Sequence, residues 1–367
     1  MDKNFYCIIM AGGIGTRFWP ISRNSRPKQF LDILGCGRSF LQMTYDRFVK
    51  IVPKENIIVV TSAQYTSLVK EQLPDLLDEN ILGEPYRRNT APCIAYSAYK
   101  LYKKNPNATV VVTPSDHLII GEDLFTSTIS SAMKYASQRD ELYTLGITPT
   151  RPDTNYGYIQ ANKAYSTEVE GHIVDNVKTF TEKPNEELAK VFIESGEFFW
   201  NSGIFIWNLK TIIQQLEEHT PDVAEIFKSG SQFYNTQEEK NFIDGAYNEC
   251  PSISIDYGVM EKTSKACVFE ANFGWSDLGT WTALYTQSPN KDEQGNLVKA
   301  PIALTDKKLK NTMVVSHEEN KLVVVKGLDN FLVINTDDVL LVCPKDDASV
   351  KNVITDLTMS NDKQKYL

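Results

Sequence analysis

Short apolar runs alternate with amphipathic stretches along the first 150 residues. Phe5–Met10 is continuously apolar and enters a glycine turn, the pattern of a buried strand. Ser39 can cap a helix running to about Val52, with Phe40, Leu41, Tyr45, Phe48 and Val49 on one face. A strand is predicted at 56–61, a helix through Leu68 and Val69 that ends near Pro74, and a helix at 91–104 with Pro92 in its first turn. The β-branched run 108–113 reads as a strand, 123–139 as a helix and 141–147 as a strand. Strands alternating with helices at this spacing imply an α/β fold, Rossmann-like, whose mostly parallel mixed sheet is flanked by helices. In such sheets ligands bind outside the carboxyl ends of the strands. The loops to inspect are therefore 11–28, 84–90 and 113–117.

Beyond residue 150 the pattern changes. Strands are expected at 156–160, 174–181 and 203–208, in a segment that reads as an insertion completing a pocket over the sheet. A turn-rich stretch at 288–296 reads as a linker between a catalytic domain (1–288) and a small β-rich C-terminal domain (296–367). In the latter, runs at 312–315, 322–325, 331–334 and 339–342 recur between charged turns. A final helix and a frayed tail are expected from Asp347 to Leu367.

Composition changes this picture only at its edges. The chain has 367 residues and a net charge of −9, which argues against a protein that coats nucleic acid. A basic pocket can still sit inside an acidic whole. The six cysteines form no CxxC pair, so mostly buried thiols in a reducing compartment are expected. No apolar run is long enough for a membrane span, and the N-terminus has no signal-peptide pattern, which makes the cytoplasm the default.

The candidate chemistry begins at Ala11-Gly12-Gly13-Ile14-Gly15-Thr16-Arg17. Glycines there let backbone N–H groups face an anion. The loop is neither a Walker A motif nor GxGxxG. Arg17, Arg23, Arg26 and Lys28 follow, and a glycine turn with that many cations suits a triphosphate. Arg17 and Lys28 are the candidates to neutralise its phosphates. No serine–histidine–carboxylate spacing stands out.

AGGIGTRFWPISRNSRPKQF closely resembles the signature of the sugar nucleotidyltransferases, and its FWP and RPKQF details resemble their mannose-1-phosphate guanylyltransferase branch. Further matching segments follow in order: EPYRRNTAP at 84–92, TPSDH at 113–117, NYGYI at 155–159, FTEKP at 180–184, FWNSG at 199–203 and GWSDLGTW at 274–281. The resemblance implies a nucleotide-diphospho-sugar transferase fold with a small left-handed β-helix-like C-terminal domain. It implies transfer of GMP from GTP to mannose 1-phosphate with Mg²⁺, without a protein nucleophile. Ala11, Gly12, Gly13, Gly15, Thr16, Arg17 and Lys28 would meet the nucleotide, together with Glu84, Asn89, Thr90, Ser115 and Asp116. Asp116 and Asp277 would hold the metal. Gly157, Glu182, Lys183 and Asn201 would hold the sugar phosphate, with Lys183 biased to an extended backbone by Pro184. One carboxylate can accept both adjacent donors of guanine, and Glu84 is the candidate. A single aspartate before a helix is as readily a cap, and Asn89 can be a simple cap too. Some relatives carry a phosphomannose isomerase domain, an activity not expected here. Relatives are often homodimers. The same fold with another base or sugar, or a silent sugar-nucleotide sensor, is the alternative; a substrate panel separates them.

Overall fold

The computed structural model describes residues 1–367. By contacts the chain forms two compact units, Met1–Gly12 with Leu41–Trp275, and Gly13–Phe40 with Ser276–Leu367. The first is built on a nine-stranded sheet in the order β3-β2-β1-β4-β9-β6-β10-β8-β7. Its strands are β1 (Phe5–Ala11), β2 (Ile57–Ser62), β3 (Ile81–Glu84), β4 (Thr109–Pro114), β6 (Leu142–Ile147), β7 (Tyr158–Val169), β8 (His172–Thr181), β9 (Phe198–Asn208) and β10 (Ala266–Ala271), with the short β5 (Leu118–Ile119) lying after β4. β1 pairs in parallel with β2 and β4, β2 with β3, and β6 with β10. β9 runs antiparallel between β4 and β6.

The strands β1, β2 and β4 are almost continuously buried, as helices on both faces require. Alternate residues, Tyr6 and Ile8, Ile58 and Val60, Val110 and Val112, enter one core with residues of α3 (Thr90–Lys104), α6 (Leu209–His219), α7 (Pro221–Ser229) and α8 (Glu239–Glu249). The remaining helices of this part are α1 (Phe40–Phe48), α2 (Thr66–Gln72), α4 (Glu122–Ala136) and α5 (Glu186–Ser195). The mixed, mostly parallel sheet expected from the sequence is present. Two helices are shorter than expected: α1 stops at Phe48, after which the chain turns through Val52, and α4 stops at Ala136. The segment after residue 150 is not an insertion over the sheet. Its strands β7, β8 and β9 are part of the sheet, with β9 at its centre and β7 also pairing with β9. Apolar patterning shows that a strand is buried but not which neighbours it chooses.

β11 (Trp275–Ser276) carries the chain into the second unit, followed by α9 (Trp281–Gln287). Then come β12 (Leu297–Lys299), β13 (Ala303–Thr305), β14 (Met313–Ser316), β15 (Val323–Val325), β16 (Phe331–Asn335), β17 (Leu340–Pro344) and α10 (Asp347–Met359). β12, β14 and β16 pair in parallel, β13 pairs in parallel with β15, and β17 closes the set antiparallel. The alternation between two parallel stacks is a β-helix-like coil around Leu309, Val314, Val323, Val325 and Val333. The stretch 288–296 is an ordered turn in which the Asp292 carboxylate accepts from the Asn296 backbone and Asn296 donates to the Leu309 carbonyl. The tail is not frayed either: Tyr366 and Leu367 are hydrogen bonded to residues 19–24. No helix is long and apolar enough to cross a membrane. All six cysteines are free thiols, and all but Cys36 are buried.

Candidate active site

The carboxyl ends of the parallel strands carry the first group of expected residues. β1 ends at Ala11, whose carbonyl accepts from the Thr61 hydroxyl at 2.8 Å, and Gly12 follows. β3 ends at Glu84, which is 8% exposed. One oxygen of Glu84 accepts from the Tyr247 hydroxyl at 2.8 Å, and the other lies 3.3 Å from where a side chain on Gly12 would begin. Burial pushes the Glu84 carboxyl up to about 7, against the pull of the Tyr247 hydroxyl. Glu84 and Gly12 are thus brought together. β4 ends at Pro114; Ser115 donates its N–H to the Met10 carbonyl at 3.0 Å and is buried, and Asp116 follows, half-buried. His117 accepts from the Trp275 indole N–H at 3.2 Å. Asn89 has φ 68°, and its side chain accepts from the N–H of Thr90 as α3 begins. The Thr90 hydroxyl accepts from the Ile255 N–H at 2.8 Å.

A second group forms around Gly157. A side chain there would begin 2.3 Å from Glu182 Oε1 and 3.4 Å from Asn201 Cβ, so only glycine lets Glu182 lie against this backbone. Gly157 also accepts from the Asn201 N–H at 2.8 Å through its carbonyl. Glu182 pairs with Lys183 at 2.9 Å; the Glu182 side chain is 8% exposed and that of Lys183 is 60%. Partial burial works against the Lys183 charge, but the hydrogen bond and charge of Glu182, with Tyr257 and Asp256, outweigh it and hold the ammonium above its ordinary value. Lys183 is not extended: its φ is 47°, in the left-handed region. Between β8 and α5 the chain must reverse within a few residues, and proline at 184 disfavours the right-handed helical alternative. A conformation of this kind costs roughly 1–3 kcal/mol and persists where its surroundings enforce it.

The Asn201 side chain is more committed than its sequence context implies. Its oxygen accepts from the Gly203 N–H at 3.0 Å and the Thr144 hydroxyl at 3.3 Å, and its amide donates to Asp256 at 2.8 Å. Asp256, which begins a short π-helical turn, was not among the sequence candidates. Burial first, then the charge of Glu182, push its carboxyl up to about 6. The single hint in the sequence is an acid closing the alternating run Ser-Ile-Ser-Ile-Asp; its partner lies 55 positions away. Tyr247, the partner of Glu84, was missed for the same reason.

The second unit brings together Arg17, Lys28 and Asp277. Gly15 has φ 61°, and a side chain there would begin 2.4 Å from Lys28 Cβ. Thr16 and Arg17 follow in a 3₁₀ turn ending at Phe18, with both residues exposed. The carbonyls of Gly13 and Ile14 are turned inward, to the Gln29 amide at 2.8 Å and the Ser22 hydroxyl at 3.2 Å. Lys28 is 3% exposed. Its ammonium donates to the Asp277 carbonyl at 2.7 Å and lies over the rings of Phe18 and Phe40. Asp277 Oδ1 accepts from the Gly279 N–H at 3.2 Å; Oδ2 lies 2.8 Å, and Arg17 Nη1 3.4 Å, from where a side chain on Gly279 would begin. The carboxylate and the guanidinium therefore flank one glycine. Arg23, another cation of the basic run, is engaged elsewhere, with Asp338.

A family model described as nucleotidyl transferase matches residues 6–294. The chain belongs to the nucleotidyl transferase family. Over 99% of its length it is 37% identical to a mannose-1-phosphate guanylyltransferase of Escherichia coli, of which it spans 78%. Over 95% it is 36% identical to the alginate biosynthesis protein AlgA of Pseudomonas fluorescens, of which it spans 71%. Its fold is similar to the crystal structure of a mannose-1-phosphate geranyltransferase from Thermus thermophilus, with a TM-score of 0.84 and 28% identity over 97% of this chain and 99% of that one. This nucleotidyltransferase therefore presents strand-end carboxylates and a glycine-dependent acidic pocket in one unit, and a cationic loop in the other.

Proposed function

We propose that the chain transfers GMP from GTP to α-D-mannose 1-phosphate, giving GDP-mannose and pyrophosphate. The observation that carries this reading is the match along 99% of the chain to the E. coli guanylyltransferase. The geometry is consistent with it on each side. Arg17, on a loop whose carbonyls are tied inward, holds a permanent fork of donors for the triphosphate, and Lys28 beside it is fixed by the Asp277 carbonyl. Ala11, Gly12, Gly13, Gly15 and Thr16 supply the backbone turn that lets phosphates approach. Glu84, ionised, accepts the paired donors of guanine, with Asn89, Thr90 and Ser115 shaping the strand ends. Glu182 accepts a sugar hydroxyl, Lys183 meets the sugar phosphate, and Gly157 and Asn201 keep Glu182 and Asp256 in place.

The reaction is an in-line displacement: a phosphate oxygen of the sugar phosphate bonds to the α-phosphorus of GTP as the bond to pyrophosphate breaks. Positioning two anions and spreading their charge is most of the catalytic task. No group of three or more protein ligands forms a metal cage. Asp116 in one unit and Asp277 in the other each carry a carboxylate, the hard oxygen donor of which Mg²⁺ takes one or two before completing its shell with phosphate and water. When bound, Mg²⁺ neutralises charge developing on the phosphates.

The test is pyrophosphate release across four nucleoside triphosphates and several hexose 1-phosphates with Mg²⁺. GTP with mannose 1-phosphate is expected to give the highest kcat/KM. A different preferred pair would replace the substrate assignment, and no release with any pair would point to a sensor of sugar nucleotides.

A further inference from the structure

The stretch from Gly15 to Lys28 is a closed loop. Its two ends meet, since Lys28 Cβ occupies the space beside Gly15. Short loops closed in this way hold their own shape and are often functional. The far end of this loop is not left to itself. Trp19 donates its indole N–H to the Tyr366 carbonyl at 2.6 Å, and Arg23 donates to the same carbonyl through Nη1 at 2.9 Å. Arg23 also donates through Nε to the Pro20 carbonyl and through Nη2 to Asp338 at 2.7 Å. The Asn24 N–H donates to the Leu367 carbonyl at 3.0 Å. On its other side Trp19 accepts at its carbonyl from the Trp281 indole at 3.0 Å, and Phe18 packs edge-on against Trp281 at 4.9 Å.

Arg23 therefore joins three pieces of chain: the loop itself at Pro20, the turn between β16 and β17 at Asp338, and the segment Gln364–Leu367. A planar guanidinium with five donors can make these bonds together, whereas an ammonium cannot reproduce their geometry. Nothing in this arrangement points Arg23 at a ligand. Its three bonds run to main-chain carbonyls and to a carboxylate, and tie the loop that presents Arg17 and Lys28 to its surroundings.

We propose that Arg23 is a positioning residue for the phosphate loop, acting with the Tyr366 carbonyl as a strap that sets where Arg17 and Lys28 stand. The proposal rests on the reading of this loop as the triphosphate site. Misplacing a catalytic group by about 1 Å can cost on the order of a hundredfold in rate. The strap thus gives the segment Gln364–Leu367 a part in positioning the loop without its touching substrate.

The test compares Arg23→Ala, Arg23→Lys, Asp338→Asn and a chain shortened by Lys365–Leu367 with the intact enzyme. Each is measured for kcat and for KM of GTP and of mannose 1-phosphate, for melting temperature, and for amide hydrogen exchange of residues 13–28. In Arg23→Ala and the shortened chain, kcat/KM for GTP is expected to fall about ten- to a hundredfold while KM for mannose 1-phosphate changes less than about twofold. Arg23→Lys should recover part of the loss and Asp338→Asn should lose least. Exchange at residues 13–28 should quicken in the two severe variants, with strands β1–β4 unchanged. Equal rises in both KM values, or a lower melting temperature with no change at residues 13–28, would overturn the strap. Should the intact enzyme release no pyrophosphate from GTP, the substrate reading fails, and the exchange measurement still decides whether Arg23 fixes the loop.

Discussion

The cationic loop and the acidic pocket are ordered by opposite means. In the loop, main-chain carbonyls do the holding: Gly13 and Ile14 are tied from inside, Asp277 fixes the Lys28 ammonium, and Tyr366 takes Trp19 and Arg23. In the pocket, carboxylates are packed against backbone and amide: Glu182 on Gly157, and Asp256 on Asn201. Carbonyls orient cations without competing as full charges for an incoming phosphate. Carboxylates packed out of water are held nearer to neutrality, as Glu84 and Asp256 are, so their readiness to accept hydrogen bonds depends on pH. On the proposed reading, the triphosphate would meet the Arg17 guanidinium, and the paired donors of guanine would meet Glu84, whose charge depends on pH.

Removing permanent charge should be the most damaging change. Arg17→Ala is expected to lower kcat by about a hundred- to a thousandfold, the usual effect of losing one donor to a developing phosphate charge. Arg17→Lys should recover only part, because an ammonium lacks the planar fork. A loss under tenfold in steady-state kcat would break the comparison on its cationic side.

Closing the space beside Glu182 comes next. A methyl group at 157 would begin 2.3 Å from Glu182 Oε1. Gly157→Ala should lower kcat/KM for mannose 1-phosphate by about a hundredfold. Added to Glu182→Ala it should cost little more, since the clash is then gone. Additive losses in this double-mutant cycle would mean that the glycine serves something other than Glu182.

The smallest effect tests the switchable charge. Glu84→Gln should raise KM for GTP by about tenfold while leaving that for mannose 1-phosphate in place, in line with roughly 1–3 kcal/mol for a bidentate base contact. Burial raises the folded carboxyl from its ordinary 4.5 to about 7. The folded state therefore binds more protons than the unfolded chain in that interval, and stability falls as pH rises from 4.5 towards 7, by up to about 3 kcal/mol. Glu84→Gln should flatten that fall in denaturant titrations. Some slope should remain, since Asp256, raised from 3.8 to about 6, acts with the same sign. An unchanged slope would show that Glu84 is not held as a buried acid.

Much of this architecture was legible before any coordinates. Phe5–Met10 running into a glycine turn, the β-branched run 108–113 and the recurring short strands after 312 each carry a local signature, and each forms the expected kind of element. The position of Asp116 just beyond a strand end followed from the second of these. Lys183 misled because proline's local influence excludes one conformation without choosing among the others; the turn into α5 chose φ 47°. The segment after 150 misled because edge and centre strands share the same apolar alternation until their partners are known.

Sequence by itself determined the alternation of strands and helices, the glycine turn, the ordered motifs and hence the family, because periodicity, turn chemistry and motif spacing are local properties of the chain. Only the tertiary structure decided that β9 enters the centre of the sheet, that Glu84 meets Tyr247, that Asp256 holds Asn201, and that the final residues grip Trp19 and Arg23. Those bonds join residues from 55 to 347 positions apart. Such partners are set by packing and by the need of each buried polar group for a mate, and neither is written in the neighbouring residues.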